Sequence, residues 1–233
     1  MESERSVINA YRNQATMKDY PGRMSALFFT PGCNFRCGFC HNSGLFDAVK
    51  TYTWDELKEI CQRFRKQWVG AITITGGEPT IHKALPETIR FLKKQGFKIK
   101  LDSNGSNPTM LEELIDTVDF IAMDIKCSLE NYPKISGYSN TDNLLKSIRL
   151  IMERANDYEF RTTVMESVHT DDELIKGVKL IEGAKKYALQ AFIPHDDLPD
   201  EALRTAERTR PSFMNHAAEV VRPYVQALEI RGV

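Results

Sequence analysis

The sequence predicts an α/β fold in which parallel strands and helices build an incomplete (β/α)6 barrel. Three observations carry this. Short β-rich runs alternate with helical patterns six times along the 233 residues, as in βα units on a mainly parallel sheet. The groups best suited to bind a ligand follow those runs directly, so they gather at the C-terminal ends of the strands, where barrels and open sheets keep their chemistry. The chain is shorter than the roughly 250 residues of a closed eight-unit barrel. No G-x-G-x-x-G follows a strand, which disfavours a dinucleotide-binding sheet. The reading is one domain over 1–233, with an N-terminal extension at 1–23 and a C-terminal lid or tail at 194–233.

Residues 1–23 are polar and close on the turn signal Tyr20-Pro21-Gly22-Arg23. Met24–Thr30 is an apolar run, the first strand. A capping box, Thr53-Trp54-Asp55-Glu56, opens the first helix. Its stripe of Trp54, Leu57, Ile60, Cys61, Phe64 and Trp68 reads as core, and Gly70 as its end. Ala71–Thr75 is the second strand. A helix follows from Pro86 to Gly96, then the third strand, Phe97–Leu101, with Lys98 and Lys100 alternating. Thr109-Met110-Leu111-Glu112 reads as another capping box, before the fourth strand at Asp119–Lys126. Asn143–Met152 is helical and Tyr158–Met165 is the fifth strand. Thr170-Asp171-Asp172-Glu173 caps a helix reaching Tyr187, and Ala188–Pro194 is the sixth strand. The charge-dense stretch 194–211 is a candidate lid or docking surface, or a solvated loop. Ser212 begins a last helix that Pro223 ends or kinks, and Leu228–Gly232 is a tail that suits an extra strand or an edge contact.

Composition narrows the function. The formal net charge of −1 gives no general attraction to nucleic acid or an anionic membrane, so neither is expected as a partner. The N-terminal Met1-Glu2-Ser3-Glu4-Arg5 lacks the apolar core of a signal peptide, and no apolar run is long enough to span a bilayer. The expected location is the cytoplasm. Five cysteines is an odd number, and three of them lie within eight residues, unlike a disulfide framework.

Those three are Cys33, Cys37 and Cys40, spaced C-x3-C-x2-C in the loop after the first strand. Thiolates this close can hold one soft metal centre together. A structural zinc ion wants four ligands. His41 is the obvious fourth, yet it adjoins Cys40, and adjacent side chains diverge. Three thiolates suit a [4Fe–4S] cluster with one iron left open; a zinc knuckle or a chance cluster is the alternative. After the second strand comes Thr75-Gly76-Gly77-Glu78-Pro79-Thr80, where two glycines allow close backbone approach and an acid can accept from an amine. Taken alone it is also an ordinary tight turn. Asp102-Ser103-Asn104-Gly105 after the third strand is either a ligand contact or a local Asx-type turn. Asp124 and Lys126 share a strand face and form either an ion pair or a binding pair. Arg161 presents a planar fork suited to a carboxylate, or a rim salt bridge. His195, after the sixth strand, faces either the site or the solvent.

With Phe39 before the last cysteine, the C-x3-C-x2-C loop resembles the signature of radical S-adenosylmethionine (SAM) enzymes. The run Asp19-Tyr20-Pro21-Gly22 through Thr30-Pro31-Gly32 to Cys40-His41-Asn42 resembles the glycyl-radical-enzyme activases, most closely the anaerobic ribonucleoside-triphosphate reductase activating protein. Likeness continues at 75–80, 101–105 and 122–126. The resemblance implies a radical SAM-type barrel and a [4Fe–4S] cluster on Cys33, Cys37 and Cys40. SAM would lie on Gly76, Gly77 and Glu78, with Asp102, Asn104, Asp124, Lys126 and Arg161 as further contacts and Phe39 packed beside the cluster or adenine. It also implies a monovalent cation among Asp102, Ser103 and Asp124. The implied partners are a glycyl radical enzyme and a one-electron donor such as flavodoxin or ferredoxin. The implied chemistry is one-electron cleavage of SAM, whose 5′-deoxyadenosyl radical takes hydrogen from a glycine Cα. Activation of a pyruvate formate-lyase type enzyme, or action on a small molecule, is the alternative.

Overall fold

β-branched and apolar runs pair into one sheet of nine strands in the computed structural model, which describes residues 5–233. The first four residues of the N-terminal extension, on which most of the signal-peptide argument rests, lie outside that range. Ala10–Tyr11 (β1) and Thr16–Tyr20 (β2) both pair antiparallel with Arg23–Thr30 (β3). Beyond β3 every neighbour is parallel: Ala71–Gly76 (β4), Lys98–Ser103 (β5), Phe120–Asp124 (β6), Tyr158–Val164 (β7), Tyr187–Ala191 (β8) and Leu228–Arg231 (β9). β1 and β9 are the edges, so the barrel is open.

The sheet is mainly parallel, as expected, and its antiparallel pairs are confined to one edge. The polar extension is short enough to double back through Gly22 (φ +73°) and add antiparallel pairs. The C-terminal tail takes the extra-strand form, as a seventh parallel strand beside β8.

Helices cover the sheet: Trp54–Lys66 (α1), Leu85–Lys94 (α2), Pro108–Leu114 (α3), Tyr132–Ser136 (α4), Thr141–Arg154 (α5), Asp171–Lys179 (α6), Glu201–Arg204 (α7) and Pro211–Val221 (α8). The capping box of α1 forms in both directions: Glu56 N donates to Thr53 Oγ1 at 3.3 Å, and Thr53 N donates to Glu56 Oε2 at 2.7 Å. Leu57, Ile60, Cys61 and Phe64 then face the core; an apolar side chain of this size contributes about 2 kcal/mol when buried. Trp68 does not join them, correcting the predicted stripe. The helix stops at Lys66, Trp68 turns left-handed at φ +62° and lies 92% exposed, and Val69 takes the core position.

Two further helix boundaries and one whole helix differ from expectation. α3 is capped by Asn107, which accepts from Met110 N at 3.2 Å, with Pro108 in the first turn; Thr109 is already inside the helix. α6 ends at Lys179 because the chain must break through Gly183 (φ +82°) to enter β8, so it does not reach Tyr187. α4 was not predicted, although Pro133 in its first turn and Gly137 (φ +71°) at its end are the usual marks. Among the described residues no helix is long and apolar enough to cross a membrane. The architecture brings the loops after β3, β4, β5 and β6 to one end of the sheet.

Candidate active site

Those four loops and the ends of β7 and β8 enclose a cavity of about 300 Å³. Cys33, Cys37, Phe39 and Cys40 line one side, Gly76 to Glu78 the adjoining wall, and Asp102, Asn104, Asp124, Lys126 and Arg161 the rest. All the site residues expected from sequence therefore meet in one place. Phe39 packs against this wall with the Lys126 ammonium 5.6 Å from its ring centroid.

The cysteine loop and the glycine turn are laced together by main chain. Gly77 N donates to Thr30 O (3.0 Å) and Glu78 N donates to Gly32 O (2.9 Å). Asn42 Nδ2 donates to Gly76 O at 3.1 Å. The need for glycine follows from this packing. A Cβ on Gly77 would stand 1.6 Å from the Gly32 carbonyl oxygen, and one on Gly76 would stand 2.4 Å from Thr30 N, at a backbone φ of +119°. The close approach inferred for a ligand is made first to the chain's own cysteine loop. Gly77→Ala is accordingly expected to push that loop outward, costing about 1–3 kcal/mol. Thermal denaturation and iron content after anaerobic reconstitution measure the two effects; an unchanged melting temperature with full iron loading would refute the packing argument.

Glu78 is 1% exposed and joins the β4 loop to the β5 loop. Its carboxylate accepts from Thr80 Oγ1 (2.5 Å), Thr80 N (3.0 Å), Ser103 Oγ (2.8 Å) and Asn104 N (2.6 Å). Burial pushes its pKa up, and these donors oppose the shift. Asn104 then reaches back: its Nδ2 donates to Asn34 Oδ1 at 3.0 Å, and Asn34 Nδ2 donates to Ser106 Oγ at 2.8 Å. The short polar residues after β5 thus hold three loops in register.

A row of alternating charge crosses the ends of β5, β6 and β7. Arg161 sits at its centre, donating from Nη1 to Asp102 Oδ2 (2.9 Å) and from Nε to Asp124 Oδ1 (2.8 Å). Lys126 Nζ donates to Asp124 Oδ2 at 2.9 Å, and Lys100 Nζ donates to Asp102 Oδ1. Lys100, expected only to alternate along its strand, is 1% exposed; burial lowers its pKa and Asp102 offsets the fall. Burial would raise the Asp124 pKa, but Arg161 and Lys126 override it and hold that carboxyl below the ordinary range. The residues implied for a monovalent cation are engaged within the protein. The guanidinium already stands between the two carboxylates, and Ser103 donates to Glu78 instead. Nor is Arg161 a rim salt bridge, since its side chain is 14% exposed.

His41 lines the cavity and His195 lies beside it, ring centroids 6.2 Å apart. His41 Nε2 donates to Ile193 O at 2.9 Å, which ties the cysteine loop to the segment after β8. That segment also packs through Asp200 N to Gly38 O (3.1 Å) and Ser43 Oγ to Asp197 O (3.0 Å). His195 is solvent-facing, 3.5 Å from Asp197 Oδ2. Lys100, Asn34, Thr163 and Gln190 belong to the site or its support and were not predicted; for Lys100, Thr163 and Gln190, single polar residues within buried strands were the available signal, and Asn34 in the cysteine loop had none.

The donor set fits an iron–sulfur cluster. Three thiols face one cavity, the neighbouring imidazole is committed to a carbonyl, and a glycine turn lies alongside. Burial holds the free Cys33 thiol up at about 11 and raises those of Cys37 and Cys40. Bound iron would therefore have to drive their deprotonation.

An open parallel α/β barrel with a three-cysteine loop after its first parallel strand and a glycine turn after the next defines a class of iron–sulfur enzyme that uses SAM. Residues 27–181 match the radical SAM superfamily, and the chain belongs to it. Its cofactors are accordingly a [4Fe–4S] cluster and SAM. A Methanocaldococcus jannaschii protein provisionally named glycyl-radical enzyme activating enzyme is 30% identical over 224 residues, covering 92% of each chain. A Pyrococcus horikoshii protein provisionally named GTP 3′,8-cyclase is 27% identical over 146 residues, covering 61% of this chain and 47% of that one. In fold, the chain is similar to Streptococcus suis SuiB bound to SAM, with a TM-score of 0.69 at 11% identity over 87% of this chain and 48% of that one.

Proposed function

We propose that this enzyme activates a glycyl radical enzyme, with the anaerobic ribonucleoside-triphosphate reductase as its target. The observation that carries this is the 30% identity to a glycyl-radical enzyme activating enzyme across 92% of both chains. The activase-like run from Asp19 to Asn42 supports it, because its two halves are β2 with its turn and the cysteine loop, joined by β3. In this reading Cys33, Cys37 and Cys40 hold the cluster. The turn at Gly76, Gly77 and Glu78 receives the methionyl end of SAM. Since four internal donors occupy the Glu78 carboxylate, its part is to fix the turn so that main-chain oxygens meet the amine. Lys126 and Arg161 provide positive charge for the SAM carboxylate, with Asp102 and Asp124 aiming them. Asn104 fixes the cysteine loop, and Phe39 shields the cluster side of the cavity from water.

When bound, the reduced cluster and SAM supply a 5′-deoxyadenosyl radical, which takes one hydrogen atom from a glycine Cα of the partner. The electron comes from a carrier such as flavodoxin or ferredoxin, and the reaction belongs in the cytoplasm. A second reading, action on a small molecule, draws on the similarity to the GTP 3′,8-cyclase of P. horikoshii. The two are separated by anaerobic incubation of the reconstituted enzyme with SAM, a reductant and the anaerobic reductase of the same organism. A glycyl-radical doublet in the EPR spectrum is expected; SAM cleavage without that signal would favour the small-molecule reading.

A further inference from the structure

Single partly exposed polar residues mark the strand ends around the cavity: Thr75 on β4, Asp102 on β5, Asp124 on β6, Thr163 on β7 and Gln190 on β8. The two carboxylates are committed to Lys100, Arg161 and Lys126. Among the described cavity-lining residues, Thr75, Thr163 and Gln190 are the uncharged polar side chains that no hydrogen bond within the protein engages. Thr75 adjoins the glycine turn. Thr163 and Gln190 stand elsewhere, as register partners on neighbouring parallel strands, so their side chains share a face. Arg161 lies two residues before Thr163 on that face. Three residues after Gln190 is Ile193, whose carbonyl accepts a hydrogen bond from His41 Nε2. The pair therefore stands between the charged row and the segment that closes onto the cysteine loop.

We propose that Thr163 and Gln190 read a main-chain amide of the polypeptide this enzyme acts on and so place its glycine. The inference rests on the glycyl-radical reading. A glycine offers no side chain, so a site that selects one must hold the flanking backbone. A carboxamide presents both a donor and an acceptor, the complement of a peptide group, and the threonine hydroxyl serves as either. Both are neutral, so they do not compete with Arg161 and Lys126 for a carboxylate. Thr163 and Gln190 are positioning residues; the hydrogen transfer itself needs nothing from them.

The test compares Gln190→Met and Thr163→Val, which keep size while removing the polar group, with Thr163→Ser, which keeps the hydroxyl. Full-length protein is reconstituted anaerobically and assayed on the anaerobic reductase polypeptide, and SAM binding is measured separately by calorimetric titration. Both apolar variants should raise KM for the polypeptide about five- to tenfold, with kcat less affected, as loss of one neutral hydrogen bond implies. Glycyl radicals formed per 5′-deoxyadenosine should fall, SAM affinity should hold, and Thr163→Ser should behave as wild type. Unchanged KM and radical yield would overturn the proposal. So would a matching loss of SAM affinity, because a carboxamide can also pair with an adenine edge. If wild type cleaves SAM but makes no glycyl radical, the glycyl-radical reading fails and this inference with it; that result is seen before any variant is compared.

Discussion

Cys37→Ala is expected to lower SAM cleavage by at least about a hundredfold, since replacing even an outer partner of a metal ligand costs up to about that factor in affinity or activity. Cys37 is 7% exposed and packs with Phe35 and Phe39 in the core cluster. Removing its sulfur leaves Cys33 and Cys40 as the loop's two thiols, too few to hold four irons. Cys127 is a poor substitute, being 2% exposed with its thiol pushed up to about 12 by burial. Cys61→Ala on α1 is the matched control, because it deletes the same atom from an equally buried place far from the loop in sequence. Both variants should lose about 1 kcal/mol of packing, while only Cys37→Ala should lose iron and sulfide. Iron content, the visible absorbance of the reconstituted protein and 5′-deoxyadenosine formation measure this. A Cys37→Ala protein that kept its cluster and cleaved SAM would refute the ligand assignment.

The cysteine spacing, the glycine turn and the order of strands were legible because each is local. C-x3-C-x2-C depends on eight consecutive residues, and a strand followed by Gly-Gly-Glu depends on about ten. The partners of those residues were not legible. Nothing near Glu78 in sequence says that Ser103 and Asn104 donate to it, 25 and 26 positions away. Arg161 looked like either a ligand or a rim residue, because its meaning depends on the register that sets it beside Asp124 and within reach of Asp102. Trp68 misled in the opposite direction: its spacing continued the helical stripe, but one left-handed residue moved it into solvent. Periodicity reports which face a side chain would occupy if the helix continued; it does not report where the helix ends.

Arg161→Met is expected to destabilise the fold by about 3 kcal/mol, the lower end of the cost of breaking a buried ion pair, because Lys100 and Lys126 still face the two carboxylates. Methionine keeps much of the volume, so the loss is mainly electrostatic. Its pH dependence separates this from a packing defect. Burial alone would raise the Asp124 pKa, but Arg161, then Lys126, hold it below its unfolded value. A depressed carboxyl pKa contributes stability that is fully present above the unfolded value, near about 3.9 for aspartate, and is lost as pH falls through the folded one. Without Arg161 the folded pKa of Asp124 moves back up, so the variant has less of this contribution to lose. The stability gap between wild type and variant should then be widest near neutral pH and narrow below about pH 4. Urea unfolding of the two proteins across that range measures the gap, and a double-mutant cycle with Asp124→Asn isolates the pair. A gap that stayed constant with pH, together with zero coupling in the cycle, would mean that Arg161 acts through its shape. A gap that narrows on acidification would identify the guanidinium as the charge that keeps the Asp124 carboxylate ionised beside the cysteine loop. Its loss should then also weaken SAM binding, because Lys126 would be the Lys or Arg left among the described residues that line the cavity.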